Sequence, residues 1–248
     1  MNTNIKIILI TCMSALLSMH MQAMQEQQKA TEQSILTSPA ARQNFYRELI
    51  QQAIAENNTA KIQGLLDGAL QRGFDINSGD KEQRTLLHDA ALAGNSSAVK
   101  ILLKSGASPN SKNYMESTPL HLAVMSSLID PEIVQALVQA GADINIANSY
   151  DVKPLLMAIS KNQVPIVRLL LTAPKVDVDR EEVNAFLDKN NLRRPEYQDM
   201  IKLLDSYYTT LAGLSIDTIV KNIDRYLGKL HLLPQELQEE VNRRLAQQ

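Results

Sequence analysis

A seven-residue string, Ser117-Thr118-Pro119-Leu120-His121-Leu122-Ala123, stands near the middle of the chain and returns in altered form on both sides. Each residue type in it has a physical role. A threonine such as Thr118 can cap a helix by accepting a hydrogen bond from a free backbone N–H of the first turn. Pro119 suits the first helical position, where its missing N–H costs nothing. Leu120 and Ala123 begin an apolar face, and the small alanine lets a neighbouring helix come close. Thirty-three residues earlier, Thr85-Leu86-Leu87-His88-Asp89-Ala90 keeps the Thr, Leu, His and Ala but loses the Pro. Thirty-five residues later, Lys153-Pro154-Leu155-Leu156-Met157-Ala158 keeps the Pro, Leu and Ala.

A second marker runs in register with the first. Gly73-Phe74-Asp75-Ile76-Asn77, Gly106-Ala107-Ser108-Pro109-Asn110 and Gly141-Ala142-Asp143-Ile144-Asn145 show the same two spacings. Between the markers lie apolar runs such as Val99, Ile101, Leu102, Leu103 and Ile133, Val134, Leu137, Val138. Together these features resemble the ankyrin repeat, whose T-P-L-H-x-A signature recurs about every 33 residues. The resemblance covers roughly residues 44–210. It implies an all-α solenoid of helix pairs with short β-hairpin fingers and a concave binding face.

On this reading the array spans residues 44–212 in about five units, the terminal ones degenerate. The first opens with helical patterns over 45–57 and 60–70 and lacks the Thr-Pro-Leu-His string, as expected of a unit with one face to water. About four extra residues precede its Gly73. The third unit carries a two-residue insertion around Ser127-Leu128-Ile129-Asp130-Pro131, in which Asp130-Pro131-Glu132 reads as N-cap, first-turn proline and first-turn acid. In the fourth, Lys153 cannot cap as threonine does and Leu156 replaces the motif histidine. Residues 181–189 and 195–208 pair as a fifth unit without a finger.

The ends of the chain read differently. Lys6 precedes an apolar run over residues 7–17, and Ala23 is a plausible last residue of a secretory signal peptide. The run falls short of the ~20 residues that span a bilayer; the alternative is an uncleaved N-terminal anchor. Export, to the periplasm or the exterior, is the expected outcome. Residues 24–43 are polar and glutamine-rich and read as a linker that does not pack. Residues 213–248 form a small helical extension. There Ser215 caps a helix with Ile216, Ile219, Val220, Ile223, Tyr226 and Leu227 on one face, and Leu237, Val241 and Leu245 follow on a second. The wording Leu-Leu-Pro-Gln-Glu-Leu-Gln-Glu-Glu-Val is similar to the F-box-like tail of poxvirus ankyrin proteins. The extension is therefore either a packed cap or a docking segment.

No catalytic string is present: no phosphate loop, no GxSxG elbow, no HExxH and no CxxC. The only cysteine, Cys12, lies in the leader. The balance of 25 basic against 27 acidic residues gives no sign of nucleic-acid binding. With no tryptophan, the core must be largely aliphatic. His88 and His121 read as structural, since the resemblance implies that this imidazole ties the hairpin to its helix. Asp75, Asp143 and Asp177 recur in register and belong to turns.

The expected function is protein–protein interaction by a monomer, without enzymatic activity, cofactor, metal, nucleic-acid partner or, once the leader is removed, membrane. The resemblance places the binding residues on finger tips and exposed inner-helix positions: Lys81, Glu82, Arg84, Asp89, Tyr114, Met115, Met125, Ser149, Tyr150 and Lys161, with Leu92, Ser126 and Ser160 also facing outward. Asp80, Asn113 and Asn148 share one position in the three fingers. The alternative is an adaptor whose array holds a client while the tail recruits other machinery, and a remote one is an enzyme with a site assembled from scattered residues.

Overall fold

A computed structural model describes residues 22, 24, 38–128, 130–173, 176, 179–212, 238, 239, 241–243 and 246. All of the leader but residue 22, and with it Cys12, lies outside the described residues, as do most of the linker and the tail. Of the tail, residues 238, 239 and 241–243 are helical and Val241 is buried.

The array consists of helix pairs. The first unit holds α1 (Pro39–Ala55) and α2 (Thr59–Gln71), the second α3 (Leu86–Leu92) and α4 (Ser96–Lys104). The third holds α5 (Pro119–Met125) and α6 (Pro131–Gln139), the fourth α7 (Pro154–Ser160) and α8 (Val164–Thr172). The fifth holds α9 (Arg180–Lys189), then a 3-10 turn (Pro195–Tyr197) that runs into α10 (Gln198–Ala212). The inner helices α3, α5 and α7 are only seven residues long. Two turns are marginal in isolation, so burial must hold them. Leu86, Leu87, Leu120 and Ile159 are fully or almost fully buried on them, and Leu66, Leu102, Leu137 and Leu170 on the outer helices beneath. The core is largely aliphatic, with Tyr46, Phe74, Tyr197 and Tyr208 as its buried aromatic residues among those described.

Helix starts follow local chemistry. The side chains of Asn58, Asn95, Asp130 and Asp179 each accept from a first-turn N–H. Helix α7, which starts after Lys153, has no such side-chain cap. Gly73, Gly106 and Gly141 follow the outer helices with φ of 77°, 93° and 86°, a left-handed conformation that glycine adopts without strain. The four extra residues of the first unit sit within α2, thirteen residues long against nine for α4.

Two expectations need correction. The segment 24–43, expected as an unpacked linker, gives way to helix at Pro39, behind the Ser38 cap. Its last residues are docked: Arg42 donates to Arg72 O at 2.9 Å and Gln43 Nε2 to Gly73 O at 3.1 Å. The fingers, expected as β-hairpins, contain no strand among the described residues. Each is a tight turn closed by two backbone bonds, such as Asp80 N–H to Arg84 O and Gln83 N–H to Asp80 O, both 2.9 Å. Too few residues extend beyond the turn to build a ladder.

The candidate protein-binding face

The finger turns share one construction. The side-chain oxygen of Asp80 accepts from the N–H groups of Glu82 and Arg84 at 2.8 and 2.9 Å. Asn113 does the same for Met115 and Ser117, and Asn148 for Tyr150 and Val152. This explains why an Asp or Asn stands at that position in each finger: a short side chain with a carbonyl-type oxygen replaces a backbone acceptor. Each turn then passes through a left-handed residue, Gln83, Glu116 or Asp151, with φ of 55–58°. The fingers also touch in a row. Tyr114 N–H donates to Glu82 O at 3.0 Å, and Ser149 N–H to Met115 O at 2.9 Å.

Side chains from each unit hold the next finger. His88 Nδ1 accepts from Thr85 N–H at 3.1 Å, and its Nε2 lies 3.0 Å from Ser117 O. His121 repeats this with Thr118 N–H at 3.1 Å and Val152 O at 3.0 Å. A backbone N–H can only donate, so Nδ1 is bare and Nε2 carries the proton that it gives to the carbonyl. Both rings belong to capping boxes in which histidine takes the place of the usual Glu or Gln. The imidazole therefore ties its own helix start and the following finger, not its own repeat alone. In the first unit Arg47 takes the same role, donating to Arg84 O at 3.1 Å and to Ser78 O and Oγ. Leu156 holds the position in the fourth unit.

A second stitch lies at the base of the fingers. Asn77 donates to Gly106 O and accepts from Ser108 N–H, and Asn110 donates to Gly141 O and accepts from Asp143 N–H. Gln43 makes the equivalent pair with Gly73 O and Asp75 N–H. Thus α1 supplies through Gln43 and Arg47 what the internal repeats supply through asparagine and histidine.

The ten sequence-derived site residues fall into three groups. Glu82, Arg84 and Asp89 belong to one charged network with Asp80: Arg84 Nε lies 3.3 Å from both Asp80 and Glu82 and 3.9 Å from Asp89. Gln51 on α1 donates to Asp89 at 2.7 Å. Burial pushes the Asp89 carboxyl above its ordinary range, against the pull of Gln51 and Arg84. Asp80 is pushed up by burial too, but the N–H groups of Arg84 and Glu82 outweigh this and leave it below that range. Met115 and Ser149 form the second group, joined where fingers two and three meet, with Met115 half-buried. Lys81, Tyr114, Tyr150, Met125 and Lys161 form the third and are exposed, Tyr114 at 57% and Tyr150 at 68%.

The structure corrects one outward assignment. Ser126 is buried, its hydroxyl bonded to Leu128 N–H and O across the inserted loop. Leu128 is the residue that sequence reasoning missed. The insertion lays it over Gly94, where an added Cβ would meet Leu128 Cβ at 2.7 Å, yet its side chain stays 64% exposed. The departure from repeat length was the available signal. Among the described residues no group of three His, Cys, Asp or Glu side chains could hold a metal ion, and no helix is long and apolar enough to cross a membrane.

Two descriptions of this architecture match the sequence: "Ankyrin repeats (many copies)" over residues 70–123 and "Ankyrin repeats (3 copies)" over residues 112–182. The human Notch-regulated ankyrin repeat-containing protein is 34% identical over 77 residues, which cover 31% of this chain and 68% of that protein. The chain belongs to the ankyrin-repeat family. It is also 33% identical over 138 residues to a Caenorhabditis elegans homolog of transient receptor potential cation channel subfamily A member 1, covering 47% of this chain. To the mouse B-cell lymphoma 3 protein homolog it is 35% identical over 100 residues, covering 40% of this chain. The matches span 11% and 22% of the length of those two relatives.

Proposed function

We propose that this protein binds a partner protein through its fingers and inner helices, as a non-enzymatic interaction module exported from the cytoplasm. One observation carries the binding reading. Of the large apolar side chains exposed on the array, Leu92, Tyr114, Met125, Leu128 and Tyr150 sit on fingers, inner-helix ends and the inserted loop, and Phe45 on α1 of the first unit. None lies on α4, α6 or α8. A tyrosine on a turn offers a large contact area with little side-chain entropy to lose, the property that enriches it in binding hot spots. Export rests on the sequence alone, on Lys6 and the apolar run that follows.

The test is affinity capture with the chain as bait. Changing Tyr114 and Tyr150 together to Ala lowers affinity by more than about tenfold, because hot-spot truncations cost about 2 kcal/mol or more. Lys100→Ala on α4 is the comparison and leaves affinity nearly unchanged. Deleting residues 213–248 is the second control. Should that deletion abolish binding while the double Tyr variant binds normally, the tail is the recognition element and this assignment fails. Export is checked by mass spectrometry of the natural protein. The N-terminus is expected near residues 22–25, and an intact Met1 form in the cytosol overturns that part.

A further inference from the structure

The three finger joints are built alike but not from the same chemistry. The first is closed by a guanidinium, Arg47 to Arg84 O and Ser78. The second and third are closed by neutral imidazoles, His88 to Ser117 O and His121 to Val152 O. We propose that the array carries a one-sided acid-sensitive device, in which protonation of His88 and His121 frees the second and third fingers while the first stays held by Arg47.

The geometry sets the direction. In each imidazole joint Nδ1 is the acceptor for a threonine backbone N–H at 3.1 Å. A proton added there points one N–H at another and leaves only the threonine hydroxyl oxygen to receive it, which loosens the ring in its capping box and favours its turning out. Turning it takes Nε2 away from the carbonyl of the next finger. The threonine hydroxyl, 2.9 Å from Nδ1, already takes part in the same box. Arg47 has no matching event, since a guanidinium stays protonated throughout.

The surroundings do not rescue the charged rings. Around His88 the charged or titratable groups are Arg84 and Asp80 of its own finger, Arg47 of α1 bonded to Arg84 O, and His121 of α5. Asp80 favours a charged ring, Arg84 opposes it, and the Ser111 and Ser117 backbone favours it. Around His121 stand His88 and Lys112, both opposing a charge, with the Val152 carbonyl favouring it. Helix α4 offers no counter-charge, for its only charged residues are the cations Lys100 and Lys104. Burial, the largest influence on both rings, holds them below their ordinary value. The two sensitive fingers are those that present Tyr114 and Tyr150, but the device does not depend on what the face binds.

Backbone hydrogen exchange of the full chain, read by mass spectrometry at about pH 7.5 and about pH 5 with intrinsic rates corrected, tests this. Protection in residues 113–117 and 148–152 should fall by about tenfold per pH unit below the ordinary imidazole value of ~6.5, until the depressed folded value is reached. Residues 80–84 should change by less than about twofold, since the guanidinium that closes that joint keeps its proton over this range. The variant His88→Gln with His121→Gln keeps a capping-box residue and removes the proton acceptor, so its three fingers should respond to acid alike. The proposal is overturned if all three wild-type fingers lose protection equally, if the second and third keep it at about pH 5, or if the glutamine variant reproduces the wild-type loss. Should that variant not fold, comparison of the three fingers within the wild-type molecule decides alone.

Discussion

Arg47, His88 and His121 stand on successive units and reach the carbonyl just before the next inner helix, and only the two imidazoles respond to mild acid. Their folded-state values lie below the ordinary one, so the unfolded chain takes up protons first as pH falls. Their contribution to stability is complete above about 6.5 and is lost as pH falls from there toward the folded value. A melting temperature that declines over that window, with the decline removed in the double glutamine variant, is the expected result of a circular-dichroism series. Asp89 works the opposite way, because its raised value favours the folded state as pH falls. Packing variants are independent of pH. Leu120 is fully buried, and Leu120→Ala should cost roughly 2–5 kcal/mol through the cavity it leaves. Thr118→Ala removes one half of a capping box and should cost roughly 0.5–2 kcal/mol. Denaturant titration ranks the two, and a Leu120→Ala protein as stable as wild type would contradict the register described above.

At the scale of the element, α1 is the helix whose part is least visible in its own wording. It carries no Thr-Pro-Leu-His string and begins inside a segment that reads as polar linker, yet Gln43 and Arg47 supply both stitches to the second unit. Each net hydrogen bond contributes on the order of 1 kcal/mol, so Gln43→Ala, which loses these two and a longer one from Ser78 Oγ at 3.4 Å, should destabilise by roughly 1–2 kcal/mol. Asn77→Ala and Asn110→Ala should behave alike, since they break the same pair one and two units on. Equilibrium unfolding of the three variants checks the equivalence; a silent Gln43→Ala beside two destabilised asparagine variants would show that α1 is held by its apolar face alone. The seven-residue inner helices could be placed from their caps and prolines, whereas the start of α1 could not. Its first turns are polar, and their partners are carbonyls some thirty residues away, which composition does not announce.

For the whole molecule, stability resides in nearest-neighbour stacking, so the effect of a substitution should stay with its unit and the units next to it. Lesions at Leu66 in the first unit and Leu170 in the fourth, both fully buried, should therefore add nearly independently. The double variant Leu66→Ala with Leu170→Ala tests this in denaturant unfolding. A double variant that departs strongly from the sum of the singles would mean one cooperative core rather than a stack.

The recurrence of two short markers was enough to read the all-helical solenoid, its register and the caps at Thr118 and Asp130. Those properties depend on local geometry and on a spacing that repeats, and both are written in neighbouring residues. The exposure of Tyr114 and Tyr150 followed as well, because turns after an Asx residue project outward. What tertiary structure alone decided are matters of reach. Glu82, Arg84 and Asp89, which read as three free surface groups, are bound into one network because the first finger folds back over α3 and α1. Ser126 turns inward and Leu128 outward because an inserted loop had to cross Gly94. The equivalence of Arg47 with His88 lies in where two unlike side chains end, on the same backbone carbonyl position of the following unit, and only stacked units bring that position within their reach.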